Sequence, residues 1–150
     1  MKNQQSGFTL IELVVVIVIL AALAAIALPR YINLGTEARR ASVNGVAGGL
    51  RAAVAVVQAR YVANGNNAAT TVTMLDTTSV TVAAITGIPT GNAAGIGSAL
   101  QAGDNTAPID GYATIYGATS TFRANPPNLA TCQASYVAAT GSVATDITGC

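Results

Sequence analysis

Histidine and tryptophan are absent from the 150 residues. Without histidine the chain lacks the commonest general base, the usual imidazole metal ligand and the side chain that changes charge near neutral pH. Charge is scarce as well: 9% of residues carry it, against roughly 25% in an ordinary soluble domain. Seven Lys+Arg and six Asp+Glu leave a net charge of +1, so no global field draws in nucleic acid or an acidic substrate. The aromatics are Phe8, Tyr31, Tyr61, Tyr112, Tyr116, Phe122 and Tyr136, too few for a base-stacking platform. A continuous aromatic path for electrons is equally disfavoured. The carboxylates Asp76, Asp104, Asp110 and Asp146 are scattered, and no nucleophile–base set or phosphate-cradling glycine loop accompanies them. The composition argues against an enzyme.

Apolar residues are plentiful, at 51%, and unevenly placed. From Leu13 to Leu28 sixteen residues run without a charge or a polar side chain. Extended back to Phe8, the run is 21 residues long and is broken only by Thr9 and Glu12. A helix of that length rises about 31 Å, matching a bilayer core of about 30 Å. A secretory signal cut near Ala21–Ala25 and a buried core helix are the competing readings. A charge inside the run, and its merging into a second helix, weigh against the first.

The head of the chain is polar and positive, Met1-Lys2-Asn3-Gln4-Gln5-Ser6-Gly7, and leads directly into Phe8-Thr9-Leu10-Ile11-Glu12-Leu13. This resembles the class III leader of type IV pilins, most closely over residues 7–40. The resemblance implies that a prepilin peptidase cuts between Gly7 and Phe8 and methylates the new Phe8 amine. The cut removes the leader and leaves the apolar helix on the mature chain. It further implies a homopolymer: a helical filament, extracellular, drawn from a precursor in the inner membrane. Its expected partners are a pilus platform protein, assembly and retraction ATPases and an outer-membrane secretin. Adhesion, motility or DNA uptake would belong to the fibre.

Glu12 is the only charge in the apolar run. An ionisable side chain at the centre of a membrane helix costs roughly 2.5–3.5 kcal/mol, so one near its end needs a reason to stay. A snorkelling carboxylate with no task is the plain reading. Four residues separate Glu12 from Phe8, so a protonated Phe8 amine falls within one helical turn of it. The resemblance adds that Glu12 draws in the amine of a neighbouring subunit and fixes the stagger of assembly.

Pro29 ends the run and predicts a kink, since it removes a helical hydrogen bond and clashes with the preceding turn. Residues 30–64 read as helix again: Val43, Val46/Ala47, Leu50, Ala53/Val54, Val57 and Tyr61 recur at three- and four-residue spacing. Arg39, Arg40, Arg51 and Arg60 lie mostly off that stripe. Gly45, Gly48 and Gly49 each cost about 1 kcal/mol of helix propensity relative to Ala, which predicts close packing at those positions. Asn64-Gly65-Asn66-Asn67 stops the helix.

Beyond residue 64 the chain turns β-like and rich in hydroxyls. Strands are expected at Thr70–Met74, Ser79–Thr86, Gly111–Tyr116, Thr119–Arg123, Thr131–Ala138 and Ser142–Thr148, with a short helix over Asn92–Gln101. Residues 30–60 hold five Arg and one Glu, while residues 61–150 hold four Asp and one Arg. Two solvated faces, or attraction of a positive stem to a negative head between subunits, fit that asymmetry. Asp104-Asn105 and Asp110 offer oxygen atoms to calcium, though such residues more often form turns.

The two cysteines, Cys132 and Cys150, are an even pair, as in a disulfide of an exported chain; free thiols are the alternative. With no histidine and no third cysteine a metal site has little support, and no cofactor is expected. A C-terminal disulfide loop is also what the resemblance implies. Leu28-Pro29-Arg30-Tyr31-Ile32-Asn33-Leu34, Cys132-Gln133-Ala134-Ser135-Tyr136-Val137 and Thr148-Gly149-Cys150 further resemble the mannose-sensitive haemagglutinin branch of type IVa pilins.

The expected architecture is α+β, a long N-terminal helix, half apolar and half amphipathic, packed on a small antiparallel sheet. It divides into a leader (1–7), an apolar filament-core or membrane helix (8–29), an amphipathic helix (30–64) and a head (65–150) closed by the 132–150 loop. A type IV pilus subunit is the leading function. A type II secretion pseudopilin and a membrane-tethered binding domain that never polymerises are the alternatives.

Overall fold

The computed structural model of the chain describes residues 8–100, 109, 111–125 and 128–150, excepting the side chains of residues 28–33. It shows one long helix, α1 (Leu10–Asn64), and six strands: β1 (Thr71–Thr73), β2 (Ser79–Thr81), β3 (Tyr112–Ile115), β4 (Thr119–Ala124), β5 (Gln133–Val137) and β6 (Ser142–Asp146). The architecture is the expected α+β arrangement of a helix with antiparallel sheet. Two compact units divide the chain, Met1–Glu37 and Ala38–Cys150. In the first, α1 is helical from Leu10 onward. The leader and the side chain of Pro29 lie outside the described residues; the backbone there belongs to α1, so the helix continues through Pro29.

In the second unit the amphipathic half of α1 is placed by its apolar spacing. Val43, Ala47, Leu50 and Val54 are buried against Ile88, Ile96, Phe122, Ala134 and Tyr136. One turn on, Val57 and Tyr61 enter a second cluster with Val72, Val80 and Val82. Residues three and four apart share a helix face, so one stripe feeds both clusters. All six expected strands form, but in two sheets: β1 pairs with β2, and β3-β4-β5-β6 is a four-stranded antiparallel meander. Period-two alternation turns Ser120, Phe122 and Ala124 of β4 inward with Ala134 and Tyr136 of β5.

Three expectations need correction. The strand expected over Ser79–Thr86 stops at Thr81; Val82 makes an isolated bridge to Pro89 and the chain then turns, with Ala83 N donating to Ile88 O at 2.8 Å. The helix expected over Asn92–Gln101 begins as a π-helical turn, Ala93–Gly97, whose Asn92 cap accepts from Gly95 N at 2.7 Å. Gly45, Gly48 and Gly49 are exposed, and a Cβ at any of them would meet nothing within 4 Å. They sit on the side of the helix away from Val43, Ala47 and Leu50, so packing among the described residues does not call for them.

The stop at Asn64 is as expected. Gly65 follows with φ +67, the left-handed conformation that ends many helices and that glycine adopts without a steric penalty. Tyr61, fully inside the second cluster, then holds the loops together: its hydroxyl donates to Asn67 O at 2.5 Å and accepts from Ile85 N at 2.8 Å. Gly87 is required beneath it, since φ is +65 and a Cβ would approach the Tyr61 ring to 2.5 Å.

Candidate functional site

The start of α1 is built by Thr9 and Glu12. Thr9 donates its amide to Glu12 Oε2 at 2.9 Å and its hydroxyl to the same oxygen at 2.7 Å; Glu12 N donates back to Thr9 Oγ1 at 3.3 Å. This reciprocal cap supplies acceptors to amides that the first turn of a helix leaves orphaned. The carboxylate read from sequence as a partner for an amine is therefore also a capping group. Thr9 is the residue that sequence reasoning passed over, although Thr-x-x-Glu ahead of an apolar run is the spacing of such a cap. Phe8, just before it, is 83% exposed. Gly7 lies outside the described residues.

Behind the cap, the window Leu10–Ala27 is long and apolar enough to cross a membrane, with mean hydropathy 3.1 and none of it buried within the chain. Eighteen helical residues rise about 27 Å. A buried core helix would show the opposite exposure, and that reading is removed. Ile11, Leu20 and Ile26 are 67%, 58% and 73% exposed, so apolar surface surrounds the helix on every side. A cylinder of this kind is stable in water only when something apolar covers it.

The other pair predicted from sequence is brought together in the head. Cys132 and Cys150 form a disulfide with Cα atoms 4.8 Å apart. Gly149 makes the approach possible: its amide donates to Thr131 O at 2.9 Å, and a Cβ there would lie 1.9 Å from Thr131 Oγ1. Next to the loop, Asp146 accepts the Thr148 hydroxyl at 2.7 Å and its amide at 3.1 Å, which lowers its carboxyl below the usual range. On the inner face, Tyr136 donates to Pro89 O at 2.5 Å, and burial pushes its hydroxyl up to about 12.

The arginines flanking the core stripe bond to the head. Arg39 Nε donates to Cys150 O at 2.7 Å, an Arg51 terminal nitrogen to Val143 O at 3.2 Å, and Arg60 Nε to Thr73 O at 3.2 Å. Sequence gave no hint of these acceptors, because each is a backbone carbonyl far along the chain. Asp104 and Asp110, weighed as calcium ligands, lie outside the described residues; among the described residues no cluster of three metal-ligating side chains occurs.

Comparison with known proteins follows the same division of the chain. The family model of the prokaryotic N-terminal methylation motif matches residues 2–28. The type IV narrow pilus major component PilA5 of Thermus thermophilus is 50% identical over 56 residues, 36% of this chain and 48% of that protein. Fimbrial protein EcpC of Eikenella corrodens is 44% identical over 54 residues, 36% of this chain and 35% of its own length. The type IV major fimbrial protein FimA of Dichelobacter nodosus is 43% identical over 54 residues, with the same two shares. No solved structure matches the chain. The match thus spans about half of one relative and about a third of the others. Within that span, a prokaryotic N-terminal methylation motif opens an apolar helix homologous to those of type IV pilins.

Proposed function

We propose that the chain is a structural subunit of a type IV pilus, polymerising into an extracellular filament after a stage in the inner membrane. The observation that carries this is the uncovered Leu10–Ala27 helix, which lies within residues 2–28 matched by the methylation motif. In the membrane, lipid tails cover it; in a filament, the apolar helices of neighbouring copies take their place. The leader is cut between Gly7 and Phe8, and Phe8 is N-methylated. Cutting frees an amine four residues from Glu12, the one charge of the helix, where pairing removes the penalty of a lone carboxylate in an apolar setting.

The homologous relatives are pilus and fimbrial components, and the role proposed is structural rather than catalytic. Prepilin peptidase, platform protein, assembly ATPase and secretin are the machinery such a subunit needs. The leader (1–7), the apolar helix (8–29), the amphipathic helix (30–64) and the head (65–150) are its working parts. The Pro29 kink and the likeness to the mannose-sensitive haemagglutinin branch belong to the same reading. Shearing cells and identifying the dominant band of the high-mass fraction by mass spectrometry tests it. Recovery of the chain only from membranes, never from a sheared filament, would favour a tethered binding domain instead.

A further inference from the structure

An outer strand leaves a row of backbone groups open to another strand, and proteins blunt such edges with charged side chains. Which groups β6 leaves open follows from its neighbours. Ala138 N donates to Ala118 O and Ala124 N to Cys132 O, so the even-numbered residues of β5 bond to β4. The odd-numbered residues Gln133, Ser135 and Val137 therefore bond to β6, through Asp146, Ala144 and Ser142. Val143 and Thr145 turn their amides and carbonyls the other way, where among the described residues no strand pairs with them. Onto this open side α1 lays Arg51, a terminal nitrogen of which donates to Val143 O at 3.2 Å. The same helix does this twice. Met74 N donates to Thr78 O and Val82 N to Thr70 O, which turns Thr71 and Thr73 of β1 outward; Arg60 Nε donates to Thr73 O.

We propose that β6 is a latent pairing edge for the β6 of a second copy of the chain, and that Arg51 holds it closed. The occupant follows from the register. Turned about a two-fold axis through Ala144, the edge is complementary to itself: Val143 of each copy exchanges bonds with Thr145 of the other, and the two Ala144 residues face one another. Ala144 and Thr145 are exposed, so nothing has to be unpacked to bring them together. A paired strand lies about 4.8 Å away, in the space that the guanidinium on Val143 O occupies. An incoming strand must displace Arg51, take its acceptor and leave its charge beside a closed ladder. Arg60 guards β1 in the same manner, but Asp76 lines the same pocket as Arg60, so β6 isolates the effect. The closed edge holds whether or not the chain polymerises.

The test uses the full chain in detergent, with micelles in excess so that the apolar helices are covered singly. Ala144→Cys is oxidised mildly with copper and air, alone and combined with Arg51→Met, which keeps an apolar stem and removes the charge and its donors. Facing residues of an antiparallel pair lie within disulfide reach. Mass spectrometry of unreduced peptides is expected to find the 144-to-144 disulfide at least tenfold more abundant with Arg51→Met, and the Cys132–Cys150 bridge intact in both. Arg51→Lys retains a charge and a donor, and stays at the level of Ala144→Cys alone. Thr119→Cys, exposed on β4, reports chance encounters and is not raised by Arg51→Met. Equal 144-to-144 linkage with and without Arg51 overturns the proposal. So does a rise at position 119 that matches the rise at 144, or linkage with Arg51→Lys equal to that with Arg51→Met.

Discussion

Thr9 and Glu12 bind one another at both ends: Thr9 gives its amide and hydroxyl to one carboxylate oxygen, and its hydroxyl receives the Glu12 amide. The carboxylate is thereby held at the first turn, on the side from which the chain enters the helix. Glu12→Gln retains an acceptor for the cap and loses the charge. Insertion and leader removal are expected to proceed normally while sheared filament falls sharply. Thr9→Val removes the hydroxyl at a cost of about 1 kcal/mol in helix capping and reduces yield only in part. Normal piliation by Glu12→Gln would show that the charge has no part in assembly.

Leader removal is tested at Gly7. Replacing it by leucine is expected to leave full-length chain in the membrane and no filament, since the cut needs a small residue there. Mass spectrometry of the wild-type mature chain should begin at Phe8 with one added methyl group. A mature terminus near Ala25 would mean an ordinary secretory signal.

The Cys132–Cys150 bridge closes 17 intervening residues, for which the chain-entropy estimate is about 3 kcal/mol. Cys150→Ser should lower the denaturation midpoint of the head accordingly. Unreduced wild-type protein should weigh two hydrogens less than the reduced form. Alkylatable thiols on intact filaments would count against the bridge.

Tyr136 makes stability fall at high pH. Its folded hydroxyl is raised to about 12, above the value of about 10 in an unfolded chain. The contribution is complete below pH 10 and is lost between about pH 10 and 12, as the unfolded state releases its proton first. Tyr136→Phe removes the bond to Pro89 O, costing about 1–2 kcal/mol near neutral pH, and flattens the alkaline decline. Burial raises Tyr116 too, so some decline remains. Denaturant titrations in detergent micelles at several alkaline pH values would measure both effects.

Local chemistry was legible in the sequence where it was dense. The spacing of Val43, Ala47, Leu50, Val54 and Tyr61 marked the buried face of α1, and Gly65 marked its end. Each β-like run became a strand because hydroxyl-rich and β-branched residues alternate between glycine and proline turns. What escaped was decided by distant partners. Nothing local divides six strands into two sheets, and nothing near Tyr136 announces Pro89, 47 residues away. Ile85 holds φ +73, unusual for a β-branched residue, because Asn67 O and the Tyr61 hydroxyl both grip its amide. The three glycines misled for the opposite reason. Their cost is written in the sequence, while the face they occupy is fixed only when the stripe beside them docks.

The disulfide has a mechanical side. β6 is an outer strand of the four-stranded sheet, and outer strands are the first to peel away when a sheet is loaded. Here the chain that leaves β6 is bonded, eighteen residues back, to the residue just ahead of β5. The β5–β6 hairpin is a closed ring rather than a zipper with a loose end. Tension on the end of β6 passes through sulfur into β5, which is paired on both sides, so the border strand bears load with its neighbour instead of unravelling alone.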